Sequence, residues 1–283
     1  MNLSLKRSFI FLFSFFMVCI IKAQEFQGKA YYFSKTPMDL GRWGAKMSEQ
    51  QKKQIAERLK NRLEKTYVLA FNQVASTYKE EVKLDAISGA TDSWGKNFTP
   101  GTQYKNIKTK AFIQNQEFYG KVFLVKDTLQ TILWTMGTET KKIGAYTCFK
   151  ATCLRPKFDL SWYNFSWGEL RREVENKTDT IKKPDALHKA EQTPSDDMVE
   201  VVAWYTPQIP VSQGPSDYTG LPGLILEVSA GNTTLLCNKI VINPGEKDDL
   251  KIPTKGKEVT RREYKTIITD KMKEFRKNRS GRR

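Results

Sequence analysis

The chain has 283 residues, which is long enough for one large domain with a substantial core. Its 47 Lys and Arg outnumber its 31 Asp and Glu, so the formal net charge is +16, and residues 255–283 alone hold twelve Lys or Arg and four Asp or Glu. The single histidine disfavours a histidine-based metal centre and a histidine-dependent catalytic triad.

The N-terminus has the pattern of a secretory signal peptide over residues 1–23. Lys6 and Arg7 precede an apolar run over residues 9–21, and Ala23 provides a small residue for cleavage. The run is shorter than the roughly 20 residues that a membrane span requires. Cys19 raises the question of lipidation, but Val18 stands where a lipoprotein signal has a small residue, so lipidation is not expected. We therefore expect a periplasmic or secreted protein that is not transmembrane.

The next segment predicts a strand, a helix and more strands. Residues 26–34 are typical of a first strand. Ser48 and Gln51 form a capping box, and apolar residues recur every four positions after it, which predicts an amphipathic helix over residues 49–65. Alternation resumes near residue 67 and predicts strands up to residue 84. Residues 85–101 are rich in turn-forming residues and predict a loop.

The middle of the chain is dense in strand patterns. Residues 119–126 predict a strand, Asp127 and Thr128 a tight turn, and residues 132–136 the next strand. Residues 137–142 are polar and predict a loop before a further strand over residues 143–154. Strands joined by short polar turns favour an antiparallel meander.

The second half contains an insert, a hairpin and a helix. Residues 176–197 are charged and nearly free of large apolar residues, which predicts an exposed insert. Residues 199–205 predict a strand, and residues 224–229 and 233–242 predict a hairpin around a loop containing Gly231. One apolar stripe at helical spacing then predicts a C-terminal helix with basic residues on its other faces. The stripe is formed by Tyr264, Ile267, Ile268, Met272 and Phe275.

Together these elements predict a mainly β protein. We expect an antiparallel, strongly curved sheet or half-barrel in one domain over residues 24–254. One N-terminal helix would pack against it, and residues 255–283 would form a basic amphipathic C-terminal helix or tail.

Residues 204–228 form the most distinctive segment, WYTPQIPVSQGPSDYTGLPGLILEV. A connection this long is uncommon in a compact domain and is usually functional. Pro222 and Gly223 predict a type II turn, because Gly accepts the positive φ required after Pro. One interpretation is an internal plug that closes one end of the sheet. The other is a binding edge, formed by Trp204, Tyr205, Tyr218, Gly220, Leu221, Pro222 and Gly223.

These residues carry a family resemblance. The hexapeptide GLPGLI at residues 220–225 and three further stretches, at residues 123–151, 204–215 and 253–264, make the chain resemble the GLPGLI family of exported proteins, found chiefly in Bacteroidetes. The resemblance implies export. It implies no activity and no site residues.

Three cysteines would remain after signal cleavage. Cys148 and Cys153 are five positions apart in one predicted strand, roughly 16 Å apart and on opposite faces, so they should not bond to each other. A disulfide from Cys237 to Cys148 or to Cys153 is one expectation, and three free buried thiols is the other.

Few residues point to chemistry. No nucleotide-binding or metal-binding motif is present, so we expect no cofactor and no metal. Asp127, Glu139 and Glu227 are carboxylates in or beside predicted strands, and such a pair can hydrolyse a glycosidic bond.

These observations favour a non-enzymatic binding protein of the cell envelope, whose partner is an apolar or amphiphilic ligand or another envelope protein. The alternatives are a carboxylate-dependent hydrolase of envelope glycans and an envelope assembly factor that acts through the basic tail. That tail could also contact an anionic membrane surface. Nucleic acid is not an expected partner of an exported protein.

Overall fold

A computed structural model describes residues 26–38, 40, 44, 46–81, 98–163, 198–245 and 250–280. The signal peptide predicted over residues 1–23 and the charged insert predicted over residues 176–197 lie outside this range. The elements in chain order are β1 (Gln27–Lys35), α1 (Glu49–Leu63), β2 (Glu64–Asn72), β3 (Ala75–Glu80), β4 (Phe98–Asn106), β5 (Ala111–Phe118), β6 (Lys121–Thr128), β7 (Thr135–Ile143), β8 (Tyr146–Pro156), α2 (Lys157–Ser161), β9 (Met198–Thr206), β10 (Leu224–Ala230), β11 (Thr233–Ile242), β12 (Lys257–Val259) and α3 (Arg261–Ser280).

All twelve described strands belong to one sheet. Their order is β12-β6-β5-β4-β3-β2-β1-β11-β10-β9-β8-β7, so β12 and β7 are the two edges and the sheet does not close on itself. Neighbouring strands are antiparallel, except that β12 pairs parallel to β6. The prediction of a mainly β fold is therefore confirmed. The prediction of a purely antiparallel sheet is wrong, because the parallel pair makes the sheet mixed.

The buried side chains form three clusters. Strands β1 and β5 alternate between buried and partly exposed residues, as expected when one face of a sheet packs on a core. The first cluster contains Tyr32 and Phe71, the second Phe112 and Tyr264, and the third Ala203 and Ile225. The loop between β9 and β10 contributes to the first and the third cluster, so a single connection joins two parts of the core.

Several predicted boundaries are wrong around β7. Asp127 and Thr128 end β6 instead of forming a turn, residues 129–134 have no regular structure, and the segment predicted as loop lies in β7. Strand β7 is an edge strand whose side chains are mostly exposed, so it lacks the alternation that marks a half-buried strand. Ile132 and Trp134 pack against the third cluster.

Two other predicted boundaries are shifted. Helix α1 ends at Leu63, because Glu64 already pairs with Lys35 in the sheet. Strand β4 begins at Phe98, within the predicted loop. The predicted capping box of α1 is present, with Ser48 and Gln51 each accepting a hydrogen bond from the other's backbone N–H.

The C-terminal helix packs on its own sheet. Tyr264 and Ile268 are fully buried in the second cluster, and Ile267 and Met272 are partly buried against it. Thr260 and Glu263 cap the start of the helix through reciprocal hydrogen bonds of 2.7 and 3.2 Å. Within the described part of the chain, none of the helices has the length and apolar character that a membrane span requires.

The packing of α3 leads to a stability test. Ile268→Ala should lower the free energy of unfolding by roughly 3 kcal/mol, because it removes fully buried methyl groups from the second cluster. Thr266→Ala changes an exposed position of the same helix and should stay within about 0.5 kcal/mol of wild type. Urea unfolding of both variants measures this, and an equal stability of the two would show that α3 does not pack on the sheet.

Candidate functional site

The β9–β10 loop, residues 207–223, lies largely in the interior. Ile209 and Val211 belong to the first core cluster, and Tyr218 and Leu221 belong to the third. The N–H groups of Leu224 and Ile225 donate to the carbonyls of Ile209 and Gln213, each at 2.9 Å. The loop therefore fills the core, as the plug interpretation expects.

This placement divides the residues of the predicted binding edge. The structure buries the aromatic rings of Tyr205 and Tyr218, which are 8% and 5% exposed, and also buries Leu221 and Gly223. Trp204 is partly exposed, and Gly220 and Pro222 are exposed. Only these last three can meet a partner at the surface without a rearrangement of the loop.

Of the two glycines of the turn, the positive φ lies at Gly220 and not at Gly223, where it was predicted. Gly220 has the positive φ, 95°, whereas Gly223 does not have a positive φ. A Cβ built on Gly223 would overlap the carbonyl oxygen of Thr206 and lie 2.5 Å from its carbonyl carbon. Gly223 is therefore required for close backbone approach, and the predicted type II turn with Gly223 at its positive-φ position is wrong.

Gly223→Ala should consequently be one of the most damaging small substitutions in the chain. The added methyl group meets backbone, which cannot move aside as a side chain would, so we expect a loss of about 3 kcal/mol or more in unfolding free energy. Gly245→Ala is the matched control, since a Cβ there meets no atom within 4 Å. Thermal unfolding of both variants measures this, and equal melting temperatures for the two would contradict the predicted role of Gly223.

Lys105 of β4 anchors the loop. Its ammonium group donates to the carbonyls of Gly214, Ser216 and Tyr218 at 2.6, 2.7 and 3.0 Å, and the residue is 1% exposed. Three acceptors match the three N–H bonds of an ammonium group. A buried lysine from a distant strand thus fixes the conformation of the loop.

A buried ionic cluster surrounds this anchor. Asp217 of the loop accepts two hydrogen bonds from Arg155, at 2.9 and 3.0 Å, and its second oxygen lies 3.4 Å from the Arg261 guanidinium. Arg155 also lies 3.7 Å from Asp159. Burial alone would raise the pKa of Asp217, but Arg155, Arg261 and Lys105 lower it to about 2. The carboxylate therefore stays ionised and joins β8, the loop and α3.

Sequence reasoning missed this cluster. The signal available was polar residues at inward positions of a strand, because Gln103 and Lys105 are both buried on β4. The carbonyl groups that accept from Lys105 are more than 100 positions away along the chain, so no local pattern could identify them.

The buried lysine makes stability depend on pH. Burial lowers the pKa of Lys105 to about 7, although Asp217 opposes the shift and the carbonyl acceptors also favour the charged form. In the unfolded chain a lysine keeps its proton to about pH 10.4. Between these values the unfolded state binds more protons, so this group makes the folded protein more stable as pH rises above 7.

We therefore expect the unfolding free energy to gain up to about 1.4 kcal/mol per pH unit from Lys105 between pH 7 and 8.5. Urea unfolding of wild type and Lys105→Met isolates this contribution, because the variant should lack it. Lys79→Met removes an exposed lysine from the neighbouring strand β3 and should keep the wild-type slope. Parallel profiles for wild type and Lys105→Met would show that Lys105 is not the titrating group.

The three candidate catalytic carboxylates are each held in structural contacts. Glu227 accepts from Lys141 at 2.7 and 2.8 Å, and Glu139 accepts from Lys150 at 2.7 Å. Asp127 accepts from the backbone N–H of Thr128 and of Arg261. In the described ranges, no three His, Cys, Asp or Glu residues lie together as metal ligands.

Lys141 connects one of these pairs to Trp204. Its ammonium nitrogen lies 4.3 Å from the centroid of the Trp204 ring, a cation–π contact. The partly exposed ring of Trp204 is thus held beside a neutralised ion pair.

The three cysteines are free thiols in the structure, and all are buried. Cys148 and Cys237 lie in the first core cluster, whereas Cys153 lies in the third. Burial raises the pKa of Cys148 and Cys153 to about 11 and that of Cys237 to about 12. A bond between Cys237 and one of the others stays a prediction, and the shared cluster favours Cys148 as the partner.

An apolar surface lies at the exposed end of the loop, and we call it the apolar edge: Leu133, Trp134, Gly220 and Pro222. Leu133 is 85% exposed. The indole N–H of Trp134 donates to the carbonyl of Thr219 at 2.8 Å, and a Cβ on Gly220 would lie 3.6 Å from the indole. The edge combines Gly220 and Pro222 of the predicted site with residues 133 and 134, which sequence reasoning assigned to a strand, and it does not include Trp204.

A family model matches the middle of the chain. Residues 134–227, about a third of the sequence, match the family described as "Protein of unknown function (Porph_ging)". The matching segment begins at Trp134 and contains the whole β9–β10 loop. No match was found among the curated proteins.

The fold also resembles solved structures of PNGF-II in the C2 and P21 space groups. Both have a TM-score of 0.46, with 14% and 15% sequence identity, over 86% of this chain and 32% or 33% of theirs. The chain therefore spans about a third of the length of these structures. At this level the likeness says nothing about function.

Proposed function

We propose that the protein is an exported cell-envelope protein of the GLPGLI type that acts without catalysis, by binding another envelope protein through the apolar edge. The observation that carries this proposal is the exposure of Leu133, 85%, beside the ring of Trp134 and the turn at Gly220. Apolar side chains exposed together on a rigid support are typical of protein–protein contact sites.

The β9–β10 loop, which supports the apolar edge, is held in one conformation by several contacts. The loop behind it is held by the three hydrogen bonds of Lys105 and by the Arg155–Asp217 pair. Trp134 is tied to the same loop through the carbonyl of Thr219. A surface that is already ordered loses little conformational entropy when a partner binds.

The burial of the loop's rings favours a protein partner over an apolar ligand. Tyr205 and Tyr218 pack in the third core cluster, so they do not line a surface open to a ligand. The engaged carboxylates likewise favour binding over glycan hydrolysis. Four residues of the apolar stripe of α3 pack in its own core and only Phe275 of the stripe is exposed, so an anionic membrane contact would rest mainly on charge.

Site-specific photo-crosslinking in cells tests the proposal. A benzophenone side chain at position 133 should form an adduct with one defined envelope protein, whereas the same group at position 108, in the exposed turn between β4 and β5, should not. Leu133→Asp should abolish co-purification of that protein and leave the melting temperature within about 1 °C, because the residue packs on little.

Three outcomes would contradict it. Equal crosslinking at positions 133 and 108 would show that the edge is not specific. Co-purification unaffected by Leu133→Asp would place the interface elsewhere. A lipid adduct at position 133, with a bound lipid in the native mass spectrum, would support the apolar-ligand alternative instead.

A further inference from the structure

The interior beneath α3 contains an unusual set of buried polar atoms. Among the described residues, seven buried side-chain atoms have no hydrogen-bond partner: Gln103 Nε2, Gln116 Nε2, Gln213 Nε2, Arg261 Nε, Arg261 Nη1, Arg261 Nη2 and Tyr264 Oη. Six of the seven are nitrogen donors that cannot accept, and the seventh is a hydroxyl group that can donate. An unpartnered buried donor is costly, so such a set indicates a missing acceptor.

These atoms lie on one part of the fold. Ser76, Lys105 and Phe112 are direct cross-strand partners on β3, β4 and β5. The Arg261 guanidinium lies 3.9 Å from the centroid of the Phe112 ring, and Gln213 accepts from Ser76 through its other amide atom, at 2.9 Å. Arg261 and Gln213 therefore both contact the cross-strand row that contains Lys105.

The other members adjoin this row. Gln103 lies two positions before Lys105 on the buried face of β4 and is the cross-strand partner of Gln114. Gln114 in turn donates to Gln116 at 3.2 Å. Tyr264 lies one helical turn after Arg261, and its hydroxyl oxygen is within reach of the Gln116 amide. The amide can donate to that oxygen, while the hydroxyl hydrogen and the second amide hydrogen stay available for a further acceptor. The donors thus line one layer between β3–β5 and the segments that cover them.

The charges of this layer are also unbalanced. Lys105, Arg155 and Arg261 contribute three buried cationic groups, whereas Asp159 and Asp217 contribute two buried carboxylates. The next carboxylate, Asp127, is partly exposed, and it accepts from the backbone N–H of Arg261 and not from its side chain. One positive charge therefore has no buried counterpart when Lys105 is protonated.

We infer that this layer, which we call the donor layer, binds one small anion, with Arg261 as its principal ligand and the Gln116 amide and Tyr264 hydroxyl as further donors. The guanidinium group offers a planar fork of N–H donors that suits a carboxylate and can also donate to a halide. A water molecule can also accept from these donors, but it adds no negative charge to a layer that contains three buried cationic groups and two buried carboxylates. An anion satisfies donors and balances charge at once.

The inference does not depend on the proposed function. The donor layer lies inside the domain and is built from residues outside the apolar edge. Its ligand chemistry, a monovalent anion, could come from a free halide or from a free carboxylate, and the experiment separates the two.

Thermal unfolding at constant ionic strength is the first measurement. Sodium bromide and sodium acetate are each titrated against sodium gluconate, whose anion is much larger than bromide or acetate. A bound anion stabilises the folded state in proportion to ln(1 + [L]/Kd), so the melting temperature should rise and then level off with the anion that fits. Bromide and acetate distinguish the halide from the carboxylate.

Matched variants assign the effect. Arg261→Gln should weaken the apparent anion affinity at least tenfold. Arg262→Gln removes the neighbouring, exposed arginine and should leave the affinity unchanged. Gln116→Leu removes one donor without changing charge and should weaken the affinity by a smaller factor. Should Arg261→Gln fail to fold, the comparison rests on Gln116→Leu and on the wild-type crystal.

A crystal grown with bromide provides the second measurement. An anomalous peak within hydrogen-bond distance of Arg261 supports the inference for a halide, and acetate density at the same place supports it for a carboxylate. Water density alone in the donor layer, or a stabilisation that affects Arg261→Gln and wild type equally, would overturn it.

Discussion

One buried lysine holds the longest described connection of this fold in its native conformation. Lys105 places its ammonium group against three carbonyls of a loop that is more than 100 positions further along the chain. Removing a charged group from water is costly unless acceptors replace the lost water. The loop supplies those acceptors only when residues 214–218 fold around the lysine, so the anchor and the loop conformation require each other.

The consequences extend through the core. Once the loop is anchored, Ile209 and Val211 complete the first cluster, and Tyr218 and Leu221 complete the third. Asp217 then meets Arg155 from β8 and Arg261 from the first turn of α3. A C-terminal helix that the sequence presents as a charged tail is in this way joined to the centre of the domain.

The same packing decides what remains for recognition. Burying the aromatic rings of the loop leaves Gly220 and Pro222 at the surface, beside Leu133 and Trp134. The position of this apolar edge is set from inside, by the contacts of the loop with β4 and β8. Changes in the buried ionic cluster are therefore expected to reach Gly220 and Pro222 through the loop, whereas Trp134 is also supported by the third core cluster.

Local patterns in the sequence determined most of the strands, the capping box at Ser48 and the stripe that buries Tyr264 and Ile268, because burial on one face imposes a period that is visible along the chain. Strand β7 was not predicted correctly, because the side chains of an exposed edge strand show no such period. The Pro/Gly segment was recognisable, yet only the tertiary structure decided which glycine needs positive φ and which needs space beside Thr206. It also decided the anchoring of the loop by Lys105 and Asp217, because those contacts join residues far apart in the chain and leave no local trace in the sequence.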